Sequence, residues 1–286
     1  MCNNSISGHG SHGKDLTMMG NNIFQCFILE NKYNADAPFA IPPTERFEKL
    51  MRCYAHYTPD IIAFQECDEG WHDLLDGADG LDTLGYTAAT DGYTNESLRV
   101  IRNILYYKKD RLTVEEAGYE MYDGTSHGAI ANPWCYSWAI FKDKVTGKRF
   151  AATSTHFVWV SIDNWAARDR FAHQLSEFIV RIEKEYGVPS VSMGDYNAHI
   201  DEPAYSTMKT NLLSAREVTP YMLNMELKST NRVGQPPQPD TDGHGIVDHC
   251  FISEKGVSPK VYELLIDPMT YAYSDHVPQR LTFEID

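Results

Sequence analysis

Apolar positions along this chain change period from block to block, from about two residues to about 3.6, and the changes order its elements. Residues 23–30 are apolar and aromatic with Gln25 as an interruption, and are expected to form the first strand. Beyond a proline-containing turn, Phe47, Leu50, Met51 and Tyr54 recur at helical spacing, with Glu45 and Glu48 near the positive end of the helix dipole, so residues 44–57 are expected to be a helix. Pro59 and Asp60 close it. The run Ile61, Ile62, Ala63, Phe64 then has the continuous hydrophobicity of a strand buried on both faces and finishes in Gln65 and Glu66.

Residues 85–89, 100–107 and 112–121 are expected to be three further strands, with Lys109 and Asp110 in a hairpin turn. A second hairpin is expected from residues 134–141 and 149–155, the latter ending in Thr155 and His156. Trp165, Phe171, Ala172, Leu175, Phe178, Ile179 and Ile182 mark one face of the longest helix, residues 164–186. A short apolar run, residues 188–193, leads into Gly194, Asp195, Tyr196 and Asn197. Gly194 is expected to stop that strand and leave Asp195 and Asn197 on the loop beyond it. Residues 203–213 are expected to be a short helix, 214–227 carry no assignment, and 233–245 have the proline and glycine content of a surface loop. Asp240, Thr241, Asp242 and Gly243 within it lack the remaining ligands of a calcium loop. Residues 246–252 form a strand with Asp248 and His249 inside an apolar run, where neither sits without partners. Residues 280–285 alternate as a last strand.

Composition adds to this picture. A chain of 286 residues with 42% hydrophobic and 23% charged residues is an ordinary globular protein able to bury a sizeable core. With neither a repeat nor a mid-chain linker, residues 23–286 are expected to form one domain behind a disordered tail, residues 1–22. No apolar run reaches the ~20 residues that span a bilayer. The polar amino terminus lacks the apolar core of a secretion signal, so the expected location is cytoplasmic, with secretion after loss of a leader as the alternative. Six scattered cysteines lack a C-x-x-C pair and read as buried free thiols. The net charge of −15, from 40 acids and 25 bases, weighs against long nucleic acid as a partner, because such binding works through Lys and Arg on phosphates. It weighs less against a small phosphate ester.

Five polar signatures stand at strand ends: Gln65-Glu66, Thr155-His156, Gly194-Asp195-Tyr196-Asn197, Val247-Asp248-His249 and Ser274-Asp275-His276-Val277-Pro278. Taken singly, the Gly194–Asn197 segment has the composition of a turn, and a histidine at a strand end is commonly structural. As an ordered set they resemble the exonuclease–endonuclease–phosphatase superfamily of phosphoesterases over nearly the whole chain. The resemblance implies an α/β (α+β) four-layer sandwich of two facing, mostly antiparallel sheets covered by helices, with the site at one end of the sheets. It implies Glu66 as the principal ligand of Mg²⁺ (or Mn²⁺), with Asp275 added to the metal shell. Asp195 would orient or activate the attacking water, and Asn197 would steady the phosphate. His276 would lie at the heart of the site with Asp248 fixing its tautomer, and His156 would contact the scissile phosphate. One departure stands out: the family's first strand carries an Asn directly after an aromatic residue, whereas Phe27 is followed by Ile28. Asn31 is the nearest substitute ligand, with Gln25 and Asn34 as alternatives.

Asn103, which interrupts its strand, resembles a family residue facing the cleft. Trp134, Tyr136 and Trp159 are aromatic residues that could stack a base. The expected activity is divalent-metal-dependent hydrolysis of a small, lipid-linked or short oligonucleotide phosphoester. The alternatives are a DNA or RNA nuclease, and a non-catalytic binding protein that has kept the fold. Specificity is expected to lie in residues 91–97, 122–133, 158–164 and 233–245, whose composition does not spell a ligand.

Overall fold

The computed structural model describes residues 13–26, 41–90, 102–123, 134–158, 165–225, 230 and 245–286. The chain opens with strand β1 (Leu16–Asn22), helix α1 (Pro43–Tyr57), strand β2 (Ile61–Gln65) and helix α2 (Glu69–Leu75). Strands β3 (Tyr86–Ala88), β4 (Ile104–Lys108), β5 (Leu112–Met121), β6 (Cys135–Asp143) and β7 (Arg149–His156) follow. Next come the long helix α3 (Trp165–Tyr186), β8 (Ser190–Asp195), α4 (Pro203–Met208), β9 (Leu212–Ser214), α5 (Ala215–Val218) and β10 (Tyr221–Leu223). The chain closes with β11 (Asp248–Ser253), β12 (Val257–Leu264) and β13 (Gln279–Ile285).

Among the described residues these strands form two mixed sheets, one of seven strands in the order β10-β12-β13-β1-β2-β4-β3 and one of six in the order β5-β6-β7-β8-β11-β9. Pairing is antiparallel except at β1/β2, β10/β12 and β7/β8. Three apolar clusters stack four layers. Met18, Ile61, Ala63 and Leu105 of one sheet meet Phe141, Phe150, Val191 and Met193 of the other. The outer face of the six-stranded sheet, through Ile140 and Ala151, packs on Phe171, Leu175 and Phe178 of α3. The outer face of the seven-stranded sheet, through Met19, Ile62 and Phe64, packs on Leu50, Tyr54 and Trp71 of α1 and α2. Central strands are therefore covered on both faces, which is why they read as unbroken apolar runs. This is the four-layer sandwich expected from the sequence.

The amino-terminal expectation needs correction. The first strand is Leu16–Asn22 and not residues 23–30, so a disordered tail over 1–22 does not hold for its last seven positions. These residues pair with β2 on one side and β13 on the other, and long-range pairing outweighs the weak local apolarity. Residues 23–26 leave the strand, and 27–30 lie outside the described residues. Asp68 caps α2 as its position suggests, accepting from Trp71 N at 3.2 Å. The helix expected over 203–213 stops at Met208 and gives way to β9. The five described cysteines are free and buried. No helix among the described residues is long and apolar enough to cross a membrane.

Candidate active site

Strand register assembles the site before any side chain is considered. Across β7, β8 and β11, His156 is the partner of Asp195 and Asp195 the partner of Asp248, so the three stand side by side in one row. Gly194 makes this possible in a way different from the expected strand stop. The strand runs on through Asp195, and a Cβ at 194 would lie 2.2 Å from the Thr155 carbonyl oxygen. On the opposing sheet β1 ends at Asn22 beside Gln65, and Glu66 follows with φ 57°. Buried amides tie the sheets together beneath this rim. Gln65 donates to Ser154 Oγ at 2.9 Å and Gln279 to the His249 carbonyl at 3.0 Å.

The two sheets meet at Asn22. Its Nδ2 donates to Glu66 Oε1 and to Asp195 Oδ2, both at 3.0 Å, and its Oδ1 accepts from Phe24 N at 3.0 Å. Asn22 is thus an amide placed between Glu66 and Asp195, where the sequence points to Asn31, with Gln25 and Asn34 as alternatives. Asn31 and Asn34 lie outside the described residues, and Gln25 contributes its backbone, N to Glu66 Oε2 at 3.3 Å. The overlooked signal was the pair Asn21-Asn22 directly after Met18-Met19-Gly20, which reads as a polar break unless tertiary partners are known. Asn21 is also buried, with its amide on the hydroxyls of Tyr54 and Tyr273.

Asp195 is the hub. Oδ1 accepts from Asn197 N at 2.8 Å, while Oδ2 lies 3.5 Å from His156 Nε2 and 3.7 Å from His276 Nε2. Burial, with the nearby Asp248 carboxylate, pushes its pKa up to about 7. His276 is held from its other side by Asp248, with Nδ1 2.9 Å from Oδ2. Burial opposes its charge, but Asp248, Asp195 and Asp275 outweigh burial and hold it well above the usual histidine range. His156 is the opposite case: burial and the cationic His276 bring it down to about 3, so it is a neutral imidazole. Trp134 packs edge-on against it with centroids 5.2 Å apart.

Asn197 takes φ 46° and donates Nδ2 to the Phe157 carbonyl at 2.9 Å. His249 Nε2 lies 2.7 Å from the Ala198 carbonyl and braces the same turn. Phe24, Glu66 and Asn197 all have left-handed backbone, a strain of the kind concentrated at working sites. Asp275 is buried and its Oδ1 finds no hydrogen-bond partner among the described residues. Burial lifts its pKa to about 6, with the Glu66 carboxylate adding to the rise. Asn103 is turned inward, 2% exposed, with Nδ2 donating to the Cys135 carbonyl at 2.6 Å. Trp159 lies outside the described residues.

Glu66, Asn22, His156, Asp195, Asn197, Asp248, Asp275 and His276 therefore gather on one rim. Ligand atoms of Asp195, Asp248 and His276 lie within 4.8 Å of one another and could hold a metal ion. The 2.9 Å ring–carboxylate contact within that trio is also the length of a hydrogen bond. Glu66 and the unsatisfied Asp275 oxygen offer an all-oxygen alternative suited to a hard cation such as Mg²⁺.

Solved structures share this architecture. An endonuclease/exonuclease/phosphatase from Bacteroides vulgatus is similar with a TM-score of 0.75 and 23% identity, over 96% of this chain and 100% of that one. A mannosyl-6-phosphatase of Bacteroides thetaiotaomicron gives 0.72 and 22%, over 94% and 99%. A D. rerio TDP2 complexed with single-strand DNA product gives 0.67 and 15%, over 95% and 100%. No curated protein matches the sequence. The model of the Endonuclease/Exonuclease/phosphatase family matches residues 34–276. With five ordered motifs converging on one rim of the family's sandwich, the chain belongs to the Endonuclease/Exonuclease/phosphatase family.

Proposed function

We propose that this chain hydrolyses a phosphoester with the help of a divalent cation, Mg²⁺ or Mn²⁺, acting on a small, lipid-linked or short oligonucleotide substrate. The observation that carries the reading is the environment of Asp195. It is a buried carboxylate with a pKa near neutrality, fixed on one oxygen by Asn197 N and faced on the other by Asn22, His156 and His276. A carboxylate so tuned can take a proton from an attacking water at neutral pH. His276, kept cationic by Asp248, sets a fixed positive charge where negative charge grows on the phosphoryl oxygens. Neutral His156 can donate a hydrogen bond to the same group without adding charge. Glu66 and Asp275 would hold the cation, which when bound supplies Lewis-acid stabilisation of the phosphoryl group. The mannosyl-6-phosphatase among the similar structures supports the small-ester reading.

A nuclease is the second reading. Trp134, half-buried beside His156, offers a face for a base, and the DNA-bound neighbour supports it. The net charge of −15 favours the small ester. Incubation with plasmid, single-stranded RNA and a panel of phosphomonoesters and diesters, with and without Mg²⁺, separates the two. Turnover of small esters only with the cation is expected. Rapid plasmid cutting with no ester turnover would overturn the preference.

A further inference from the structure

Arg46 of α1 has a fully buried guanidinium, 0% exposed, with no ion-pair partner among the described residues. Its hydrogen bonds run to backbone carbonyls. Nε donates to Tyr273 at 2.8 Å, Nη1 to Gln25 at 3.0 Å, and Nη2 to Phe24 at 2.8 Å and also to Ile23. The cation lies 4.8 Å from the Trp71 ring centroid and 5.6 Å from that of Phe24. Burial lowers its pKa to about 10, which leaves it charged at neutral pH.

The four carbonyls belong to two separate irregular segments. Residues 23–25 directly follow Asn22, and Tyr273 directly precedes Ser274, Asp275 and His276. Both segments lie outside the strands, although Ile23 N still donates to the Gln65 carbonyl at 3.1 Å, and Phe24 sits at φ 55°. Beyond Arg46, side chains also link these stretches through Ser274 Oγ to the Asn22 carbonyl at 2.5 Å and Asn21 Nδ2 to the Tyr273 hydroxyl at 2.8 Å. The guanidinium therefore crosses between the loop that feeds Asn22 and Glu66 and the loop that carries Asp275.

The carbonyls carry no formal charge, and the carboxylates of Asp275, Asp68 and Glu66 act on the cation without an ion pair to it among the described residues. Charge and geometry then act in opposite directions on a cation: charge repels it, and the fork prearranges the acids that would receive it. We propose that Arg46 is a positioning residue that preassembles the divalent-cation site, its geometric effect outweighing its repulsion. This rests on the phosphoesterase reading above, in which Glu66 and Asp275 hold that cation.

The sign of the effect makes it testable. Mn²⁺ alone is titrated into metal-free full-length protein by calorimetry, for wild type, Arg46→Met and Arg46→Lys, with amide hydrogen exchange of the segment around Phe24 and Gln25 measured without metal. Positioning predicts roughly tenfold or greater weakening of Mn²⁺ binding in both variants, the usual cost of losing a group that orients a ligand. It also predicts faster exchange of that segment. Electrostatics alone predicts that Arg46→Met tightens binding. Folded Arg46→Met that binds Mn²⁺ as tightly as wild type overturns the proposal. Where Arg46→Met does not fold, Arg46→Lys decides, since it keeps the charge and loses the fork; wild-type affinity and exchange in that variant overturn it. Wild type that binds no Mn²⁺ overturns the cation reading itself and this inference with it, whereas the variant outcomes bear on Arg46 alone.

Discussion

The two ends of the sandwich both bury acids, and they treat them differently. At the far end Asp143 accepts from Arg111 Nε at 2.9 Å and Nη2 at 3.2 Å, from Val145 N at 2.9 Å and from Thr146 Oγ1 at 2.6 Å. Burial pushes its pKa up, but these donors outweigh burial and leave it below the usual carboxylate range. Asp60 nearby is lifted by burial, yet has both Thr17 donors on one oxygen. At the rim, Asp195 and Asp275 are lifted to about 7 and about 6, and one Asp275 oxygen has no partner among the described residues. One end is internally complete. The other has acids in excess of its donors, the arrangement of a site that takes a further cation or proton as part of its work.

The contrast breaks most visibly on substitution. Asp195→Asn is expected to lower kcat about a thousandfold, the range for loss of a positioned base, while leaving the melting temperature at or above that of wild type. Asp143→Asn should do the reverse: kcat within a few-fold, but a loss of about 3 kcal/mol because the buried Arg111 cation loses the carboxylate charge that faces it. Steady-state kinetics on the best ester together with urea melts check both. Equal effects on activity at the two ends would dissolve the distinction.

The pH dependence sharpens it, because the signs are opposite. In metal-free protein the Asp275 carboxyl titrates at about 6 in place of 3.8. Its folded pKa is raised, so the stability it lends is full below the unfolded value near 4 and is lost as pH rises through 6. Asp275→Asn should therefore gain on wild type across pH 4–6, by on the order of 3 kcal/mol. Asp143 is depressed, so its contribution is full above about 4 and is lost on acidification. The cost of Asp143→Asn should shrink below pH 4. Urea melts of both variants against wild type at pH 3, 4, 5, 6 and 7 read the two slopes, and parallel slopes would contradict the assignment.

How much of this the sequence disclosed follows the same physical division. Asp195 and Asp248 were legible because each stands in a strongly apolar segment that strand ladders fix independently, whereas Asp275-His276 stands in an irregular stretch and was legible from the family resemblance alone. Asn22 was not. Its strand is short of large apolar residues, and its Nδ2 donates to Glu66 and Asp195, 44 and 173 residues away. The denser hydrophobicity of residues 23–30 therefore drew the first strand forward. Strand β12 escaped because Pro259 and a register shift beside it break its alternation. Strand β10 escaped because all three of its residues are exposed. Arg46 lies beside the apolar stripe of α1, and nothing local distinguishes it from a solvated arginine.

The smallest expected effect is the most diagnostic of what the rim lacks. A ligand that binds only the folded state stabilises it by an amount set by concentration over Kd, about 2.7 kcal/mol at a hundredfold excess. Mg²⁺ should raise the unfolding free energy of wild type by such an increment at pH 7, and less at pH 5, where Asp275 is largely protonated and must release its proton to accept the ion. Glu66→Gln should abolish the increment, since it removes the charge that faces Asn22 and lies beside Asp275. Asp143→Asn should start lower and gain the full increment, because its damage is at the other end of the strands. Thermal melts with EDTA and with Mg²⁺ across the three proteins measure this directly. If Asp143→Asn lost its response while Glu66→Gln kept it, the cation would belong to the far end.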